Sequence, residues 1–178
     1  MIYYATRYVS PRSRPLTESE KVIRQTAYDL KIPTPTAIEV AAPMMAALLE
    51  HDPCWLIPVP SSSGCMEANM ALCRALKHII REARIVVGIR RGHPVESSCA
   101  RRRRGLLGLS VEQHDFRRCC GPLLRLQVWF VDNVITSGTT LRAANLAFGT
   151  GGGVVYADAS SYALIRSSRI DWVNDLPI

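Results

Sequence analysis

No run of apolar residues in this 178-residue chain approaches the roughly 20 needed to cross a bilayer as a helix. A membrane span is not expected. The opening residues, Met1-Ile2-Tyr3-Tyr4-Ala5-Thr6-Arg7, lack the basic, apolar and small-residue order of a secretory signal. The cytoplasm is therefore the expected compartment. None of the six cysteines, at 54, 65, 73, 99, 119 and 120, forms a Cys-x-x-Cys pair, and Cys119-Cys120 has no His or Cys nearby at metal-ligand spacing. Buried or idle thiols in a reducing compartment are the expectation. The four histidines, at 51, 78, 93 and 114, are scattered, and none is assigned to catalysis. The chain shows neither an internal repeat nor a low-complexity segment.

What is present fits one globular domain over residues 1–178. Apolar residues make up 48% and charged residues 21%, which argues against wholesale disorder. Lys and Arg outnumber Asp and Glu by 22 to 15, for a net charge of +7. That excess favours anionic partners such as nucleotides, pyrophosphate or nucleic acid, without choosing among them.

Residues 1–16 read as a loosely ordered arm in which Tyr3, Tyr4 and Tyr8 favour a short strand that Pro11 and Pro15 stop. Thr17-Glu18-Ser19-Glu20 is a capping-box pattern that opens a helix to about Leu30. A second such box, Thr36-Ala37-Ile38-Glu39, opens a helix to about Glu50, which Pro43 should distort or divide. Residues 1–50 thus form an N-terminal arm and helices, a candidate hood. The core should lie in 54–160, where strands and helices alternate. Cys54–Val59 is a short apolar strand, followed by a loop at Ser61–Gly64. Met66, Met70, Cys73, Leu76 and Ile80 recur at helical spacing. Ile85–Ile89 is the next strand. Residues 90–121 show no strong period and carry many arginines, among them 90, 91, 101–104 and 117, so they read as a long basic connection, functional or mobile. Val128–Val131 is apolar on both faces, as in a central strand of a parallel sheet. A helix over Thr139–Phe148 and a strand over Val154–Ala157 complete the pattern. Alternation of this kind implies an α/β fold, an open and mainly parallel sheet flanked by helices.

The most informative stretch is Val131-Asp132-Asn133-Val134-Ile135-Thr136-Ser137-Gly138-Thr139-Thr140-Leu141. A strand delivers Asp132 to its carboxyl end, where open α/β sheets bind ligands. The loop beyond is small and rich in hydroxyls, from Thr136, Ser137, Thr139 and Thr140. A helix begins at its far side, and helix N-termini offer free N–H groups and a positive dipole end to phosphate. Gly138 lets the backbone approach such a phosphate without a Cβ in the way. Asp132 offers acceptors suited to ribose hydroxyls. A plain βα connection with a Thr or Ser cap is the alternative. The loop has no lysine after the glycine, so it is not a nucleoside-triphosphate P-loop.

At these residues the chain resembles the type I phosphoribosyltransferases, whose motif for phosphoribosyl pyrophosphate (PRPP) is an apolar strand, two acidic residues, two apolar residues and a Thr/Ser-Gly-Thr loop. Leu56-Ile57-Pro58-Val59-Pro60-Ser61-Ser62-Ser63-Gly64 is similar to the strand and pyrophosphate loop of that family. It is closest to the competence-protein ComF group, and Arg90-Arg91-Gly92-His93-Pro94 with Arg101–Arg104 resembles that group's basic middle segment. The resemblance implies a type I phosphoribosyltransferase fold with a small hood and a homodimer. It also implies transfer of the phosphoribosyl group of PRPP to a nucleobase or other nitrogen acceptor, with release of pyrophosphate. Asp132 and Asn133 would face the ribose hydroxyls as the catalytic pair. Thr136, Ser137, Gly138, Thr139 and Thr140 would cradle the 5′-phosphate. Ser61, Ser62, Ser63, Gly64, Arg90 and Arg91 would hold pyrophosphate. Magnesium would be the cofactor, carried by PRPP with no direct protein ligand and bridged by water to Asp132. The family usually has a second acid where Asn133 stands, which opens an alternative: a PRPP or nucleotide sensor without turnover. The ComF likeness opens another, a DNA-processing accessory.

Other features have competing readings. Ser61–Gly64 alone is an ordinary polar turn. Gly149–Gly153 follows a helix and precedes a strand, the reverse of a dinucleotide fingerprint, so a helix C-terminus and turn is the better account. Arg101–Arg104 is a solvated charge run, a hood over pyrophosphate, or a nucleic-acid contact. Trp55 and Trp129 belong to the core, and Trp172 to tail packing or to a cover over a base.

Overall fold

The computed structural model describes residues 1–9, 14–49, 52–160 and 169–170; Trp172 lies outside them. Its centre is a six-stranded sheet. In chain order the strands are β1 (Ile2–Arg7), β2 (Cys54–Pro58), β3 (Arg84–Ile85), β6 (Gln127–Ile135), β7 (Gly152–Asp158) and β8 (Arg169–Ile170); β4 (Ile89–Arg91) and β5 (Phe116–Arg118) pair apart from it as an antiparallel hairpin. The spatial order is β3-β2-β6-β7-β1-β8. The first five strands run parallel, and β8 pairs antiparallel to β1 at the edge. The expected parallel α/β architecture is therefore present.

Helices cover both faces. α1 (Glu18–Asp29), α2 (Pro35–Ala46) and α3 (Glu67–Ile79) bury Leu30, Ala41, Met45, Leu72 and Leu76 against Leu56, Trp129, Val131, Val154 and Tyr156. On the other face α5 (Thr139–Phe148) packs Leu141, Ala144 and Phe148 against Ile2, Ile57, Phe130 and Val155. Successive residues of β6 thus enter opposite cores: Trp129 and Val131 one, Val128 and Phe130 the other. Phe130 and Val131 are fully buried, each worth about 2 kcal/mol of transfer free energy. This explains why the strand reads as apolar throughout.

The N-terminal region differs from the sequence expectation. Residues 2–7 are not an arm: β1 lies inside the sheet between β7 and β8, with Ile2 and Tyr4 buried. α1 and α2 belong to the sheet's main core rather than to a hood. The Thr17 capping box forms as expected, with Glu20 N–H on Thr17 Oγ1 and Thr17 N–H on Glu20. The second helix starts earlier than Thr36. Thr34 is its cap, accepting from Ala37 N–H, and Pro35 occupies the first turn, where a missing N–H costs nothing. Pro43 lies within α2 and does not divide it; a 3-10 turn, Ala47–Leu49, ends the segment.

The strand expected at 85–89 is split. Only Arg84–Ile85 pairs with β2, and Ile89 opens the hairpin. The basic connection is ordered: β4, the short helix α4 (Ser98–Arg103), a 3-10 turn at Glu112–His114 and β5. Ser97 caps α4 on Ala100 N–H. The glycine run is only partly a turn. Gly149 (φ 97°) and Gly151 (φ 129°) turn the chain, while Gly152 and Gly153 are buried residues of β7. A Cβ on Gly152 would lie 2.5 Å from the Trp129 ring.

Candidate functional site at the sheet switch point

β2 and β6 are parallel neighbours with Pro58 opposite Val131, and Val59 N–H extends the pairing to Val131 O at 3.1 Å. From β2 the chain crosses to β3 on one side; from β6 it crosses to β7 on the other. The carboxyl ends of β2 and β6 therefore flank a topological switch point, the place where open α/β sheets leave a crevice. The two loops singled out in the sequence, 61–64 and 136–138, leave the sheet at this edge.

Asp132 stands near the carboxyl end of β6. Its Oδ1 accepts from Asn133 N–H at 2.8 Å and from Asn69 Nδ2 at 3.1 Å. Burial outweighs these two donors and pushes the carboxyl up to about 6. At neutral pH it is mostly ionised but poised near protonation. Its Oδ2 has no protein donor among the described residues, so that oxygen is available to a ligand. Asn133 spends its backbone N–H on Asp132, and its half-buried side chain makes no hydrogen bond among the described residues.

The 136–140 loop takes the form the sequence suggested. Gly138 sits at φ 74°, a left-handed conformation that glycine adopts without strain. It caps α5, whose first α-helical bond runs from Arg142 N–H to Gly138 O at 2.9 Å. No side chain among the described residues caps the helix, so its first backbone N–H groups are open to an anion there. Ser137 and Thr139 hydroxyls lie 2.9 Å apart. Thr136 Oγ1 accepts from Arg102 Nη2 at 3.4 Å, which brings α4 to the rim of this loop.

The 61–64 loop is a tight turn closed by Gly64 N–H to Ser61 O and Ser61 N–H to Cys65 O, with Gly64 at φ 87°. Ser61 and Ser63 hydroxyls are 2.9 Å apart. The hairpin braces this turn. Arg91 Nε donates to Ser61 O at 2.9 Å, and Val95 N–H donates to Ser62 O at 2.8 Å.

Arg91 is accordingly a strut. Its Nη1 donates to His114 O at 2.5 Å, its Nη2 lies 3.4 Å from His114 Nδ1, and its plane covers the Phe116 ring at 4.5 Å. Burial and the Arg91 charge hold His114 down at about 4, so the ring is neutral. Arg90 is exposed on β4, opposite Arg117.

Asn69 was not singled out in the sequence. It is buried on the first turn of α3, and its Nδ2 joins Val59 O at 2.8 Å to Asp132, tying the ends of β2 and β6 together. The available signal was one polar side chain on the apolar stripe of α3, between Met66 and Cys73. The pair His93 Nδ1–Asp115 Oδ2, 2.7 Å apart, was also not foreseen; it lies on the hairpin turn with Arg117 on the second Asp115 oxygen.

Among the described residues no three His, Cys, Asp or Glu side chains converge on a metal position. The donor set here is one free carboxylate oxygen, which fits a cation carried mainly by a ligand's own phosphate and ribose oxygens and does not fit a cation caged by protein. No described helix is long and apolar enough to cross a membrane. No protein-family model matches the chain, and no curated protein matches it.

Proposed function

We propose that this protein binds PRPP across the switch-point crevice and transfers its phosphoribosyl group to a nitrogen nucleophile in the cytoplasm. The reading takes the fold as that of the type I phosphoribosyltransferases, with the β4–β5 hairpin and α4 as the hood. The observation that carries it is the convergence, at one edge of the sheet, of an uncapped helix N-terminus behind Gly138, a carboxylate with one free oxygen, and a serine turn braced by Arg91. A 5′-phosphate on residues 136–140, a ribose on Asp132 and Asn133, and a pyrophosphate on Ser61–Gly64 would span these three parts.

In the transfer the bond from C1 to the pyrophosphate oxygen breaks, and a bond from C1 to nitrogen forms. Positive charge develops on the sugar as it does so. Asp132 would hold the ribose hydroxyls and place its negative charge beside that cation, an effect that works by positioning and electrostatics. Open N–H groups of α5 would anchor the far end of the ligand. Magnesium, if bound with PRPP, would neutralise charge on the departing pyrophosphate.

A second reading is favoured by Asn133. With a neutral amide beside Asp132, the site is a PRPP sensor that binds without turnover. Isothermal calorimetry with magnesium tests the shared claim. PRPP should bind at least tenfold more tightly than either ribose 5-phosphate or pyrophosphate alone, since it engages both loops. Equal affinity for pyrophosphate and PRPP would contradict a site of this shape. Release of pyrophosphate with a panel of nitrogen bases then separates enzyme from sensor.

A further inference from the structure

The basic run at 101–104, the sequence's candidate for nucleic-acid contact, is largely engaged within the chain. Arg101 Nε donates to Leu107 O and Arg102 Nε to Ser98 O, while Arg104 pairs with Glu96. A different set of basic side chains makes no ion pair among the described residues. Arg74, Lys77, His78 and Arg81 recur at i, i+3, i+4 and i+7 along α3 and the turn after it. That spacing places Arg74, Lys77 and His78 on one face of α3, which ends at Ile79, and Arg81 follows in the turn beyond it. All four are exposed, while Leu76 and Ile80 between them are buried. They border an open concavity of about 450 Å³.

No carboxylate among the described residues neutralises this stripe. The ion pairs among the described residues lie elsewhere: Arg14–Glu20, Lys21–Glu18, His93–Asp115, Arg104–Glu96 and Arg117–Asp115. Glu82, the nearest acid in sequence, pairs with none of the four. The stripe also begins five residues beyond Asn69, about 7 Å further along the helix axis, so it stands apart from the switch-point crevice.

We infer that this face of α3 binds the phosphate backbone of a nucleic acid. Arg74, Lys77 and Arg81 offer one cation each to the phosphates of a duplex strand, which recur every 3.4 Å or so along the axis. An acidic protein partner is disfavoured, because every exposed residue from 74 to 81 is basic and a protein interface needs an apolar centre. A lipid surface is disfavoured for the same reason. Contacts of this kind carry no base readout, so binding is independent of sequence.

The test is fluorescence anisotropy of a labelled duplex of about 20 base pairs with the full chain, from about 50 to 200 mM salt. Wild type should bind at low salt and weaken linearly in log affinity against log salt. The Arg74→Ala, Lys77→Ala, Arg81→Ala variant should flatten that slope by up to about 2.7, since each phosphate contact contributes about 0.9. A charge-keeping variant, Arg74→Lys with Arg81→Lys, should retain it. PRPP affinity should be equal in all three proteins. The inference is overturned by absence of binding at low salt, by an unchanged slope in the alanine variant, or by labelled polyglutamate binding as tightly as the duplex.

Discussion

Replacing Asp132 with asparagine should stabilise the protein near neutral pH while weakening its ligand affinity. Burial holds the Asp132 carboxyl at about 6, against an ordinary 3.8. The folded chain therefore binds this proton more tightly than the unfolded chain. The stability it contributes is complete below about pH 4 and is lost as pH rises through about 6. A gap of about two pH units corresponds to about 3 kcal/mol, and solvent at a half-buried carboxylate screens this to about 1 to 2 kcal/mol. Asparagine has nearly the same shape, and its Oδ1 can still accept from Asn69 and from its neighbour's N–H, so both hydrogen bonds survive without the charge. Urea unfolding of wild type and Asp132→Asn at about pH 4 and about pH 8 reads the effect. The variant should gain about 1 to 2 kcal/mol relative to wild type between the two conditions. A stability difference that does not change with pH would refute the reasoning, as would a wild type favoured more at pH 8 than at pH 4. A site that costs stability where the ligand binds is the usual trade between stability and function.

Three further changes probe the same frame. Asn133→Asp adds a negative charge beside the ribose position without changing shape. It should strengthen magnesium–PRPP binding and, in an enzyme, speed pyrophosphate release about tenfold for each 1.4 kcal/mol gained; a slower variant of an active wild type would show that the neutral amide belongs to the mechanism. Arg91→Met removes the guanidinium that stacks on Phe116 and braces Ser61 O. Losing charged hydrogen bonds of about 1.5 to 3 kcal/mol should weaken PRPP at least tenfold by calorimetry, with ribose 5-phosphate little affected. Gly152→Ala drives a Cβ toward the Trp129 ring and Met1 O, so thermal unfolding should show about 1 to 3 kcal/mol of lost stability.

Where local chemistry dominated, the structure was legible in the sequence. The Thr17 capping box, the helix over 139–148 and the doubly buried strand before Asp132 all announce themselves through hydrogen-bonding side chains or period. Gly138 stood out as the residue without a Cβ before α5, but its left-handed φ of 74° was not read from the sequence. Elements set by tertiary context were not. The segment 2–7 carries a weak strand signal, yet it pairs with β7, about 150 residues away in the chain. The hairpin β4–β5 consists of two three-residue strands, too short for any period to register, and its pairing across residues 92–115 is non-local. Arg91 read as a free cation because nothing in its neighbourhood in sequence reveals that His114 and Ser61 close around it. Asn69 was hidden by an otherwise regular apolar stripe, and only the meeting of β2 with β6 gives its amide two acceptors. Thr34 displaced Thr36 as a cap because Pro35 is best placed in a first turn.

The central claim is that the loop before α5 cradles a phosphate of PRPP, and calorimetry on wild type and Gly138→Val tests it most directly. Gly138 lies at φ 74°, where a β-branched residue is strained and its side chain would crowd the open N–H groups. Wild type should bind PRPP with magnesium, and a variant that keeps its far-ultraviolet dichroism and cooperative unfolding should bind at least tenfold more weakly, a loss of about 1.4 kcal/mol or more. Unchanged affinity in the folded variant, or no heat of binding in wild type, would contradict the account.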